Sequence, residues 1–218
     1  MRCHLINDAL KSDSVSFEQF WNDCHAVNDQ HFLTGSSGRS VWSSLNITDR
    51  VKAGAKVLNI GVGLGFCTNE LVKAGCVVDV LDISPVALER VSKIVRKAWL
   101  PSQFESMPID YYDLIISHLV TQHMPDGDLT KQVTYTVKAL NKIGVFAMQF
   151  ACRFPIISDG KTSISMKDTK AGGSVRTLEK IDSLVRSCGG QIVWNKMISV
   201  YQRKGSCWFG VHIARTSY

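Results

Sequence analysis

The chain has no apolar run approaching the roughly 20 residues that a membrane-spanning helix needs. Its first ten residues, Met1 to Leu10, are polar overall and hold no apolar stretch of the kind a secretory signal requires. These absences make a cytoplasmic protein with no membrane partner the expectation. The Asn46-Ile47-Thr48 sequon is then a chance match. No Cys-x-x-Cys pair occurs, and the 7 cysteines are odd in number and scattered. Buried reduced thiols are expected, with neither a disulfide framework nor a metal site. No repeat, low-complexity tract or block of one charge is present, which argues against disorder.

What is present suits a folded α/β chain. In 218 residues, 45% are hydrophobic, enough to fill both sides of a sheet. The formal charge of +6 raises the prospect of an anionic small-molecule acceptor, or of RNA, although no separate nucleic-acid-binding segment is visible.

The first fifty residues read as helices and loops. Ser16 to Asn28 places Phe17, Phe20, Trp21 and Cys24 at helical spacing. A turn at Thr34 to Gly38 precedes a second short apolar face, Val41, Trp42 and Leu45. From Lys56 the pattern changes to short apolar strands alternating with helices. Lys56–Ile60, Cys76–Asp82 and Tyr112–Ser117 are strands, as is the very short Ala98–Leu100. Phe66–Lys73, a segment from Ser84-Pro85 to Lys97, Asp126–Leu140 and Thr177–Cys188 are helices. Gly144–Ala151 is a further strand. Two last strands, Gln191–Tyr201 and Cys207–Ala214, are joined tightly enough to be antiparallel. The alternation implies a parallel sheet covered on both faces.

The segment richest in chemistry is Val57-Leu58-Asn59-Ile60-Gly61-Val62-Gly63-Leu64-Gly65. Glycines are needed where a strand turns sharply into a helix and a ligand approaches the backbone. The spacing is not that of a dinucleotide fingerprint, whose third small residue would fall at Phe66. A phosphate-binding P-loop is excluded by the lack of Gly-Lys-Ser/Thr. Val80-Leu81-Asp82-Ile83-Ser84-Pro85 then sets an acid at the end of the second strand.

With Glu105 to Ile116 and Leu119 to Asp126, these blocks resemble the class I S-adenosylmethionine-dependent methyltransferases over roughly Lys56 to Ala151. The resemblance implies a Rossmann-like α/β fold: a seven-stranded sheet, mostly parallel with an antiparallel last strand, and helices on both faces. It implies one domain, with residues 1–50 as an N-terminal helical cap and 51–218 as the core. It also implies S-adenosyl-L-methionine as cofactor and S-adenosyl-L-homocysteine as product. Asn59, Gly61, Gly63, Gly65, Asp82, Ile83, Gln103, Phe104 and His118 are the positions it sets around the cofactor. Asp82 would accept bonds from the ribose hydroxyls, Ile83 would pack on adenine, and Gln103 would meet the adenine amino group. Asn59 departs from the acid usual there. The Asn-Pro-Pro-Tyr signature of amide and base N-methyltransferases is absent; Ser117-His118-Leu119 follows the fourth strand instead.

Methyl transfer is a displacement at a sulfonium carbon, so the protein mainly aligns the acceptor and, for a hydroxyl, removes its proton. His118 is the candidate base, with His123 second and more readily structural. Arg153 and Trp42 are candidates for acceptor binding, and Lys161, Lys167, Lys170 and Arg176 extend a basic stretch after the fifth strand. Tyr111, Tyr112 and Trp99 fit core packing better than acceptor stacking. The expected activity is O-methylation of a small hydroxylated acceptor such as a sugar or natural-product intermediate. RNA methylation and non-catalytic cofactor binding are the alternatives.

Overall fold

A computed structural model describes residues 16–27, 38–153, 175–201 and 206–216. Seven strands form one sheet in the order β3-β2-β1-β4-β5-β7-β6. They are β1 (Lys56–Ile60), β2 (Val77–Leu81), β3 (Lys97–Trp99), β4 (Tyr112–Ser117), β5 (Leu140–Arg153), β6 (Gly190–Tyr201) and β7 (Ser206–Arg215). Neighbours from β3 to β5 run parallel, whereas β7 is antiparallel to both β5 and β6. The strand order reverses between β1 and β4, and such a point opens a crevice at the strands' carboxyl ends.

Alternating side chains fill two cores. Val57, Leu114 and Ile116 face one side, with Leu71 of α3 (Phe66–Lys73) and Leu88 of α4 (Pro85–Val91). Leu58, Ile115 and Phe146 face the other, with Leu129 of α5 (Asp126–Ala139) and Ile181 of α6 (Leu178–Ser187). Two N-terminal helices complete the described chain: α1 (Phe17–Ala26) and α2 (Gly38–Ser44). The cysteines described are all free thiols, and Cys24, Cys76, Cys152 and Cys207 are buried. No described helix is long and apolar enough to cross a membrane.

Local chemistry explains most boundaries. Ser84 caps α4, its hydroxyl accepting from the Ala87 amide at 3.3 Å, with Pro85 in the first turn. Thr177 caps α6 in the same way through Lys180 N–H at 3.2 Å. The structure corrects two spans: β5 starts at Leu140, not Gly144, and α4 ends at Val91, not Lys97, so that Lys97 opens β3. There the Arg96 amide donates to Val78 O at 2.8 Å, and its guanidinium pairs with the wholly buried Asp79 carboxylate. That tertiary pairing overrides the helical pattern.

Candidate functional site

A cavity of about 680 Å³ opens at the carboxyl ends of β1, β2 and β4, within the roughly 300–1,000 Å³ usual for ligand and cofactor sites. Its floor is the turn after β1. Gly61 (φ 80°) and Gly63 (φ 55°) both sit in the left-handed region. A Cβ on Gly61 would lie 2.3 Å from Val120 Cγ2. A Cβ on Gly63 would meet no atom within 4 Å, because it would project into open space at the cavity wall.

Asp82 stands beside this turn, 8% exposed. Its Oδ2 accepts from Val62 N–H at 2.7 Å and its Oδ1 from Ser84 N–H at 2.9 Å. The Ile83 and Gly63 amides also act on this carboxylate. Burial pushes its carboxyl above the usual range, against the pull of these backbone amides. Asn59, also buried, donates from Nδ2 to Thr68 Oγ1 at 3.0 Å. Ile83 and Phe104 line the cavity on the β2–β3 side, and Phe104 stacks on Tyr135 at 5.2 Å.

The end of β4 supplies His118. It lines the cavity, and burial pushes its imidazole down to about 4. Leu119 follows with φ 58°, unusual for a branched residue, and strain of that kind concentrates at functional sites. His123 also lines the cavity, with its Nε2 3.1 Å from Gln122 Nε2 and its ring edge-on to Trp21 at 4.9 Å.

Three expected positions stand elsewhere. Gly65 lies behind the wall, where its φ of 83° starts α3; a Cβ there would press on Val91 at 3.0 Å, not on a ligand. Gln103 is exposed and turned away: its Oε1 accepts from the Leu100 amide at 2.9 Å, closing the 3-10 turn Pro101–Ser106. Ser102 and Phe104 line the cavity in its place. Trp42 is 8% exposed and packs in the core against α3, because α2 presents Val41 to the cavity instead.

Arg176 is also committed elsewhere. Only 2% exposed, it donates to Asp126 Oδ1, Thr121 O and Met124 O, a strut and not a clamp for a ligand. Tyr112 and Trp99 are core residues, and His212 is held by Leu45 O at 2.6 Å. Arg153 lies in β5 opposite Ser206. His31, Lys161, Lys167 and Lys170 lie outside the described residues.

Sequence reasoning missed other wall residues: Trp21 and His25 of α1, Gln122, Gln132 of α5 and Trp208 of β7. Trp21 carried a signal only as part of an apolar helix face. His25 is held against Arg90, which donates to Gly63 O at 2.7 Å and to His25 O at 3.1 Å. Burial first, and then the Arg90 charge, push the His25 imidazole down to about 4. Burial raises the Cys67 thiol to about 12, so this cavity-lining sulfur stays protonated.

Residues 57–144 match a family model described as a methyltransferase domain. Among curated proteins, none matches the chain in sequence. Solved structures share the fold. An S-adenosylmethionine-dependent methyltransferase from Mesorhizobium loti is 17% identical, with 83% of this chain and 99% of that chain covered and a TM-score of 0.61. The 1,6-didemethyltoxoflavin-N1-methyltransferase of Burkholderia thailandensis, with bound 1,6-didemethyltoxoflavin and S-adenosylhomocysteine, is 14% identical over 99% and 88%, TM-score 0.59. Haemonchus contortus phosphoethanolamine N-methyltransferase 2, in complex with phosphomonomethylethanolamine and S-adenosylhomocysteine, is 17% identical over 80% and 53%, TM-score 0.61.

A methyltransferase domain matched over residues 57–144, on a fold shared with structures that hold S-adenosylhomocysteine, implies S-adenosylmethionine as the cofactor. The residues present fit that group. Gly63 leaves a cradle that any side chain would fill, a buried carboxylate stands beside it, and the amide nitrogen of Gln132 is buried at the wall without a partner.

Proposed function

We propose that the protein transfers the cofactor's methyl group to a small, neutral acceptor seated against Trp21, His118, His123 and Trp208. In this reading the backbone of Gly61 and Gly63 underlies the methionine and ribose. Asp82 takes the ribose hydroxyls, Ile83 and Phe104 flank adenine, and Asn59 meets the amino-acid end. The cofactor supplies an activated methyl group; this chain's residues align the nucleophile and exclude water.

The observation that carries the reading is the make-up of the wall. One cavity extends from Asp82 and Phe104 to Trp21 and Trp208, and Lys131 is the one lysine or arginine among its described lining residues. These described residues suit a neutral acceptor better than an anionic one. His118, pushed down to about 4, is unprotonated at neutral pH but a weak base. A neutral nitrogen, which has no proton to lose before attack, suits it best. An acidic, phenol-type hydroxyl comes next, and the alkyl hydroxyl of a sugar suits it least. The N-methyltransferases that share the fold support the nitrogen reading.

Release of S-adenosylhomocysteine, measured with a panel of nitrogen heterocycles, amines, phenols and sugars, tests this. Turnover is expected with neutral nitrogen acceptors first and phenols second. Turnover confined to sugars or to phosphorylated acceptors would overturn the acceptor assignment.

A further inference from the structure

The rings around the cavity gather on one side of it. The strand order sets Ile83 and Phe104, which follow β2 and β3, on one flank of the β1–β4 crevice, and β7 on the other, beyond β5. Along β7, Cys207, Val211 and Ile213 enter one core and Phe209 packs against it, so Trp208 and Gly210 face the opposite side of the sheet. That side carries α2, since a Cβ on Gly210 would lie 3.3 Å from Leu45. Trp208 is half-buried there, opposite Ala151 of β5, and lines the cavity. Trp21 of α1 is half-buried too. Near-perpendicular contacts with Phe20 (5.3 Å, 75°) and His123 (4.9 Å, 70°) hold its indole at the loop after β4. With His118 at the end of β4, indoles and imidazoles wall the flank away from Asp82.

Flat side chains of this kind gain from stacked or edge-to-face packing with another flat ring, beyond the area buried. Protonation points the same way. An aliphatic amine, with a pKa like that of lysine, about 10.4, is unprotonated in only about one molecule in 10³ at pH 7. His118, pushed down to about 4, is too weak a base to take the surplus proton. Asp128 of α5 lines the cavity as well, but Lys131, on the same helix face, offsets its charge. A heteroaromatic nitrogen, with a basicity no greater than that of imidazole, about 6.5, has its lone pair free at neutral pH.

We infer that the acceptor is a flat heteroaromatic base that lies against Trp21 and Trp208 and is methylated on a ring nitrogen. The inference rests on the neutral-nitrogen reading of the site and narrows it by excluding aliphatic amines. The ring nitrogen's lone pair forms the new N–C bond while the C–S bond breaks and its electrons stay on sulfur. Positive charge passes from the sulfonium to the ring, and no proton has to leave first. A ring that becomes cationic as it reacts is attracted more strongly by neighbouring indoles in the transition state than before it. Trp21 and Trp208 are thereby specificity residues that act on kcat as well as on KM.

Isoquinoline and decahydroisoquinoline test this, because they share a skeleton and a ring nitrogen, and only the first is flat and unprotonated at neutral pH. Release of S-adenosylhomocysteine by the wild-type chain is expected to give a kcat/KM at least about 100-fold higher for isoquinoline. Trp21→Leu and Trp208→Leu keep apolar bulk without the ring. Each is expected to lower kcat/KM for isoquinoline about 10-fold, partly through kcat, and phenylalanine at either position to restore most of the loss. Calorimetric affinity for S-adenosylhomocysteine, expected within about 2-fold of wild type, checks that the variants are folded; where a leucine variant loses it, the phenylalanine variant and the wild-type pair of substrates decide. Equal or faster turnover of decahydroisoquinoline would overturn the flat-ring inference and leave a nitrogen acceptor standing. Leucine variants that bind S-adenosylhomocysteine and keep the wild-type kcat/KM would overturn it too. So would a wild-type chain, saturated with S-adenosylhomocysteine, that binds none of isoquinoline, quinoline and benzimidazole. Turnover confined to sugars or phosphorylated acceptors would overturn the neutral-nitrogen reading itself, and the inference with it.

Discussion

At the scale of the residue, Asp82 has two tasks. It fastens the glycine turn through Val62 N–H and the start of α4 through Ser84 N–H, and in the proposed reading it is the acid offered to the ribose. Asp82→Ala is therefore expected to weaken S-adenosylhomocysteine binding by about 1–3 kcal/mol and to lower the melting temperature as well, because two amides lose their acceptor. Gly63→Val should abolish binding more completely, since its side chain enters the cradle; unchanged calorimetric affinity in both variants would move the site elsewhere. His118 gives a second test. If it takes the acceptor's proton, the acid limb of the rate profile lies near pH 4 and not near 6.5, because burial favours the neutral ring. His118→Ala should then lose roughly 10²–10⁴-fold in turnover with cofactor affinity nearly unchanged. The placement of Gly61, Gly63, Asp82 and His118 at the cavity was legible in the sequence because a sharp turn and a strand end leave few residue types able to stand there. Trp42, Gln103 and Gly65 were not, since one step of rotation about α2 or the 3-10 turn decides whether a side chain faces ligand or core.

At the scale of the element, α1 is held over the cavity by named contacts. Asn22 Oδ1 accepts from Ser84 Oγ at 2.6 Å, and Arg90 bridges His25 O to Gly63 O. The same guanidinium thus touches the covering helix and the glycine turn. Arg90→Ala is expected to raise amide hydrogen exchange across residues 17–26 and to weaken S-adenosylhomocysteine binding several-fold, at about 0.5–1.5 kcal/mol for each bond lost. Exchange that stays at the wild-type rate would show that α1 is held by other contacts. Strand and helix identities along the core were readable from alternation and caps. The seat of α1 was not, because a helix face shows that it must be covered without showing by what.

At the scale of the whole molecule, buried imidazoles tie stability to pH. His25 and His118 are both pushed down to about 4 in the fold, whereas the unfolded chain protonates them near the ordinary value of about 6.5. The unfolded state therefore binds more protons between those values, so stability should be full above about pH 6.5 and fall as pH drops toward 4. Thermal melts across that range check the sign; a melting temperature that rises on acidification would contradict it. Arg176 ties the segment before α6 to the loop after β4 and to Asp126 at the start of α5, and Arg176→Ala should cost about 1–3 kcal/mol in denaturant unfolding. The central claim, that this cavity takes S-adenosylmethionine, is tested most directly by calorimetric titration of the wild-type chain with S-adenosylhomocysteine, S-adenosylmethionine and NAD. Saturable binding of both methionine derivatives at one shared site, with no heat from NAD, is the expected result; binding of NAD with none by either derivative would contradict the account.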